Sequence, residues 1–249
     1  MRSGGTTAMA WLERVAGGIL ALLYPEDDRC MLCGAQDCRA DTGVCAACEA
    51  RAKRHLPPRC GLCGRQTRGG GLCGNCRDAQ VRYRGAVAYH YEGVVRDALH
   101  RLKFEGEARF TAFFAAGMAR ALRESGWPAP DVLVPVPSHS LRRLGRGYSL
   151  PGRLARALSS QTGIPVAHRA LRRIALGAMP GRSREERIML AGKAFAAGQA
   201  SAVTGKRALL VDDITTTGST LNACAGLLLS MGASAVYALA AAGGADPLT

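Results

Sequence analysis

The sequence predicts an α/β chain in which a parallel sheet with helices on both faces follows a small cysteine-rich module. Two observations carry this: nine of the ten cysteines fall within residues 30–76, and after residue 80 short apolar β runs alternate with helical stretches. Strands buried on both faces read as apolar runs, and strand–helix alternation makes neighbouring strands parallel. At 249 residues and 48% apolar composition the chain can bury such a core.

The first element, Ala10 to Leu23, spaces Trp11, Val15, Ile19 and Leu22 at helical intervals, and Glu13 and Arg14 interrupt its apolar run. It reads as an amphipathic helix packed on its own protein, with no small-residue cleavage site before "PEDD" and no membrane span. Residues 1–25 form this tail and helix, 26–80 the cysteine module and 81–249 the sheet domain.

The module holds four Cys-x-x-Cys pairs: Cys30/Cys33, Cys45/Cys48, Cys60/Cys63 and Cys73/Cys76. A two-residue gap lets both thiolates face one ion, and two pairs complete a tetrahedral zinc site. "CMLCG" at 30–34 returns as "CGLCG" at 60–64, so two successive zinc ribbons are expected, Cys30, Cys33, Cys45 and Cys48 in one and Cys60, Cys63, Cys73 and Cys76 in the other. An interleaved pairing fits the same gaps. Sites closed by four thiolates are structural, and the metal contributes on the order of 10 kcal/mol of folding free energy per site. Cys38 reads as an unligated loop thiol and Cys224 as packing in an apolar helix. Zinc thiolates point to a reducing, cytoplasmic compartment.

The sheet domain reads in order as a strand at 85–91, helices at 93–102 and 108–124, a strand at 131–137, a helix at 148–162 and a strand near 166–171. An irregular basic stretch follows, then a strand at 207–213, a helix at 218–231 and a strand at 235–241. The net charge of +14 favours an anionic partner: a phosphorylated metabolite, a nucleic acid or a membrane surface. Most of it, +11, lies beyond residue 80.

Ligands of parallel sheets gather at the carboxyl ends of the strands. There the chain reads "LLVDDITTTGST" (209–220), placing Asp212 and Asp213 at a strand end and Thr215, Thr216, Thr217, Gly218, Ser219 and Thr220 in a loop that enters a helix. Free N–H groups, hydroxyl donors and the helix dipole make such a loop an anion cradle, and two adjacent carboxylates can accept from vicinal sugar hydroxyls. A sugar phosphate satisfies both. The competing reading is an ordinary capped helix with solvated acids.

The same stretch resembles the phosphoribosyl diphosphate (PRPP) binding motif of type I phosphoribosyltransferases. With the cysteine module, "LHRLKFEG" (99–106), "VPVPSHSLRRLGRGY" (134–148) and "GRSREERIMLAGKAF" (181–195), the chain from about residue 20 resembles the ComF family. That family joins a double zinc ribbon to a type I phosphoribosyltransferase-like domain and is associated with DNA uptake in natural competence. The resemblance implies that Asp212 and Asp213 bind ribose hydroxyls and that residues 215–220 hold the 5′-phosphate. It also implies that Ser138 and His139 lie in a pyrophosphate loop, with Arg142, Arg143, Arg146, Lys103, Arg184 and Arg187 around the substrate and Mg²⁺ accompanying PRPP. For His139 a plain polar loop position is the alternative.

Four positions depart from the family pattern. Ser149 and Leu150 stand where "RGFNQ" carries its amides, and Met179 and Leu190 replace a Gln and an Asn. The part of the site that selects an acceptor base is thereby more apolar. Three functions are open at this level: a phosphoribosyltransferase acting on a nitrogen base, a PRPP or nucleotide sensor coupled to competence proteins, and a handler of single-stranded DNA. With 5% aromatic residues the chain offers little for a base-stacking groove.

Overall fold

The computed structural model describes residues 29–36, 38–39, 41–77, 79–138, 149–174 and 194–244. In chain order its elements are helices α1 (Ala46–Arg51) and α2 (Gly74–Arg77), strand β1 (Arg84–His90), and helix α3 (Gly93–His100), which continues into a π-helical turn (Arg101–Glu105). Helix α4 (Phe110–Arg123), strand β2 (Val132–Pro135) and helix α5 (Leu150–Thr162) follow, then strands β3 (Leu171–Arg173) and β4 (Phe195–Ala197). Strand β5 (Arg207–Thr215), helix α6 (Ser219–Ser230) and strand β6 (Ala235–Gly243) complete the chain. The expected helix at Ala10–Leu23 lies outside the described residues.

β1, β6, β5 and β2 form one sheet in that order, and every neighbouring pair is parallel. The two-residue period of a strand sends alternate side chains to opposite faces. Leu209, Val211, Tyr237 and Leu239 therefore meet α3, α4 and α5, while Ala208, Leu210, Val236 and Ala238 meet α6 and the β3–β4 pair. Tyr89, Phe113 and Phe114 fill the first layer with rings 5.1–6.3 Å apart, and each buries enough apolar area to contribute about 2 kcal/mol.

The two ribbons lie on different layers. Cys30, Cys45 and Cys48 pack into the first, and Cys60, Cys63, Cys73 and Cys76 into the second. Between them Arg54 bridges to Tyr89 and covers the otherwise open edge of β1. His55 is buried there, stacked on His90 at 3.8 Å, and its Nδ1 accepts from the Gln66 N–H at 3.0 Å. That bond fixes the tautomer, so Nε2–H donates to the Gly243 carbonyl at 3.2 Å. The second ribbon docks through two glycines. A Cβ on Gly64 would lie 2.2 Å from the Gly85 carbonyl oxygen, and one on Gly85 would lie 2.7 Å from that of Cys63.

The expected strand near 166–171 is not formed. Val166 makes a single parallel bridge to Leu133, after which residues 168–170 turn away, and 171–173 pairs antiparallel with Phe195–Ala197 in the layer that holds α6. Leu133 N donates to Pro165 O and Ala167 N to Leu133 O, and the next bond of that ladder fails because Pro135 has no N–H to give Ala167 O. β5 also runs to Thr215, two residues beyond expectation, because β6 continues alongside it to Gly243. The expected helix at 93–102 is regular only to His100.

Candidate phosphate crevice and metal sites

The cysteines assemble in sequential order, Cys30, Cys33, Cys45 and Cys48 in one group and Cys60, Cys63, Cys73 and Cys76 in the other, with the sulfurs of each group within 4.8 Å of one another. Cys33 and Cys45 sulfurs lie 3.7 Å apart and those of Cys63 and Cys73 3.6 Å. Zinc–thiolate bonds of about 2.3 Å in a tetrahedron require sulfur separations of roughly 3.8 Å. Both groups therefore suit one structural zinc ion. The repeat extends to the main chain: Cys30 N donates to Ala35 O and Cys60 N to Arg65 O, both at 2.7 Å, and Gly34 and Gly64 turn at φ 75° and 73°. Cys38 falls outside both groups, and Cys224 is buried among apolar neighbours.

The helices that follow β2 and β5 leave to opposite faces, α5 into the first layer and α6 into the second. A crevice opens where the connections diverge in this way. Pro135 stands beside Val211 in register and Val136 N donates to Val211 O at 2.9 Å, so β2 runs alongside β5 up to Asp212, and Ser138 follows three residues beyond β2. Asp212 is buried and Asp213 half-buried. Burial, and secondarily the charge of Asp213, holds the Asp212 carboxyl well above the usual carboxylate range. Each acid also receives a main-chain donor, Asp213 N to Asp212 at 2.9 Å and Ile214 N to Asp213 at 3.0 Å. Lys103, carried by the π-helical turn, places Nζ 3.4 Å from Asp213 Oδ2. The Ser138 hydroxyl is buried with no hydrogen-bond partner among the described residues.

Past Thr215, which is buried at the end of β5, the chain turns through Thr216 and Thr217 into α6. The N-cap is Gly218 at φ 80°, which brings no side-chain cap of its own, so the Thr220 and Leu221 N–H groups of the first turn are left for a ligand while the Ser219 N–H is taken up locally. Thr217 Oγ1 lies 2.7 Å from Ser219 Oγ and accepts from the Ser219 N–H at 3.3 Å, holding both hydroxyls in the turn. Ser219 and Thr220 belong to the helix itself.

Of the residues singled out from sequence, Asp212, Asp213 and Lys103 meet, the 216–220 turn follows on the same strand, and Ser138 lies three residues beyond β2. His139, Arg142, Arg143, Arg146, Arg184 and Arg187, with Met179 and Leu190, lie outside the described residues. Sequence reasoning missed the backing of the turn. Arg65 of the second ribbon donates to the Thr216 carbonyl, Asn75 Nδ2 reaches the same oxygen at 3.3 Å, and the Tyr83 hydroxyl lies beneath Gly218. The only signal was that the first ribbon has Ala35 and Ala47 where the second has Arg65 and Asn75.

Residues 19–77 match the double zinc ribbon domain family. Competence protein F of Haemophilus influenzae is 29% identical over 212 residues, covering 82% of this chain and 92% of that protein. Competence protein ComFC of Bacillus subtilis is 26% identical over 241 residues, covering 90% and 95%. Among solved structures, adenine phosphoribosyltransferase from Thermoanaerobacter pseudethanolicus aligns with 56% of this chain and 83% of its own at 15% identity and a TM-score of 0.36, too loose a superposition to argue from. With its paired ribbons, its parallel sheet and relatives that align along most of their length, the chain is similar to the competence proteins of the ComF type.

Proposed function

We propose that the crevice beyond β2 and β5 binds PRPP with Mg²⁺, as a phosphoribosyltransferase-type site within a competence-related protein. The observation that carries this reading is two adjacent carboxylates, Asp212 and Asp213, two residues before a turn that enters α6 through Gly218, an N-cap with no side chain. In this reading the acids accept from the ribose hydroxyls, and residues 216–220 take the 5′-phosphate. Ser138, whose buried hydroxyl has no hydrogen-bond partner among the described residues, donates to the pyrophosphate. Lys103 and, beyond the described residues, His139, Arg142, Arg143, Arg146, Arg184 and Arg187 surround it. Mg²⁺ supplies charge neutralisation for the pyrophosphate.

As a transferase the site joins a nitrogen lone pair to C1′ while the C1′–oxygen bond breaks and its electron pair leaves on pyrophosphate. One observation favours a second reading, in which occupancy by PRPP rather than turnover is the function. Ser149 caps α5 by accepting from Gly152 N at 3.1 Å, and Leu150 begins that helix and packs on the core. Both positions serve the scaffold where the family pattern carries amides. Two of the relatives are named competence proteins, which supports a role in competence, and within that role we propose competence proteins and single-stranded DNA as partners.

Calorimetric titration with PRPP and Mg²⁺, followed by a pyrophosphate-release assay over candidate bases, tests both readings. Saturable binding is expected. Release with any base selects the transferase, binding without release selects the sensor, and no binding overturns the proposal.

A further inference from the structure

We propose that the second zinc ribbon is part of the 5′-phosphate site, with Arg65 and Asn75 as positioning residues that hold the phosphate turn through the carbonyl of Thr216. The inference rests on the PRPP reading and adds a specific half of the protein to it. Arg65 is 3% exposed, donates to Thr216 O, and has an Nε with no hydrogen-bond partner among the described residues. None of the ion pairs between described residues includes it. Zinc held by four thiolates leaves the second ribbon a net charge of about −2, and Arg65 stands on that knuckle and reaches from it to the turn before α6.

The zinc knuckle sets where Arg65 stands. Its carbonyl accepts from Cys60 N at 2.7 Å, and Asn75 lies between the ligands Cys73 and Cys76. Two further ties join the ribbon's exit to α6: Asn222 accepts from Arg82 N at 2.8 Å and donates to Gln80 O at 2.9 Å. The internal repeat supplies the control. The first ribbon has the same knuckle with Ala35 and Ala47 at these positions, so neither Arg65 nor Asn75 is needed to build a ribbon. What they add is the contact with Thr216. They orient the turn's N–H groups toward the phosphate, and the Arg65 charge lies behind them.

The test measures calorimetric affinities of the full chain for ribose 5-phosphate, Mg²⁺–pyrophosphate and PRPP, with zinc content checked in every sample. Arg65→Met is expected to weaken ribose 5-phosphate and PRPP by about tenfold or more while leaving Mg²⁺–pyrophosphate unchanged. Arg65→Lys, which keeps the charge, regains part of the loss. Asn75→Ala moves the same two ligands in the same direction by a smaller factor. If Arg65→Met loses zinc, Asn75→Ala decides by the same criterion. Zinc-replete variants that bind ribose 5-phosphate as the parent does, or that lose pyrophosphate equally, overturn the inference and leave the PRPP reading standing. A parent that binds neither PRPP nor ribose 5-phosphate removes that reading, and this one with it.

Discussion

Lys103 Nζ lies 3.4 Å from Asp213 Oδ2, a contact between a π-helical turn and β5, two residues before that strand ends, that places a cation beside the second acid of the motif. Both groups are partly shielded from water, so the pair keeps more of its attraction than an exposed one. Lys103→Met is expected to weaken PRPP binding by about tenfold while shifting stability by less than about 1 kcal/mol. Calorimetric titration beside thermal unfolding separates the two. Unchanged affinity would take Lys103 out of the site.

Elemental analysis of protein purified under reducing conditions should find one zinc per four-cysteine group, hence two per chain. Chelation should do more than unfold the ribbons. Because their cysteines line both faces of the sheet, the zinc-free chain should also lose melting temperature in its sheet domain. One ion or none, or a sheet domain indifferent to chelation, contradicts this account.

Gly218→Ala should damage the crevice from within. The residue sits at φ 80°, and a Cβ there would lie 2.5 Å from the Tyr83 hydroxyl oxygen. Backbone strain and the displaced tyrosine together should cost roughly 2 kcal/mol of stability. PRPP affinity should fall as well, because the turn must shift. Adding Tyr83→Phe should restore part of the stability, since it removes the atom in closest conflict, and a double variant no more stable than Gly218→Ala would show that contact to be irrelevant.

His55 should stay neutral in mildly acid solution. Burial, and then the charges of His90, Arg65 and Arg59, push its imidazole down to about 3, against the opposing bond to Gly243. A group with a lowered folded value contributes its full stability above the unfolded value near 6.5 and loses it as pH falls toward 3, by about 1.4 kcal/mol per unit. Imidazole carbon and nitrogen shifts should report the Nε2–H tautomer unchanged between pH 7 and about pH 5. Titration of His55 near 6.5 would refute the packing described for it.

Much of this was legible because the signals were local. β5 announced itself as "RALLVDD" between polar residues, α4 and α5 by their period, and the zinc groups by four equal spacings. The pairing of cysteines needed three dimensions, since similar gaps separate all neighbouring pairs. β3 and β4 were lost because three-residue strands have no period to read, and they find each other across more than twenty residues. Arg65 was invisible as a site residue for the same reason. It acts on Thr216, 151 positions away, and a lone arginine in a basic chain carries no sign of its partner.

Asp212 and Asp213, late in β5, are expected to grip a phosphoribosyl ligand, and calorimetric titration of PRPP and Mg²⁺ into the parent and the Asp212→Asn, Asp213→Asn double variant tests this most directly. An amide keeps the size of the carboxylate but loses its charge and half its acceptor capacity. Loss of two charge-assisted acceptors should cost roughly 3 to 6 kcal/mol, a hundredfold or more in affinity, in a protein that still melts cooperatively with its zinc bound. Equal binding by the double variant would contradict the account, and a double variant that no longer folds would make the acids structural instead.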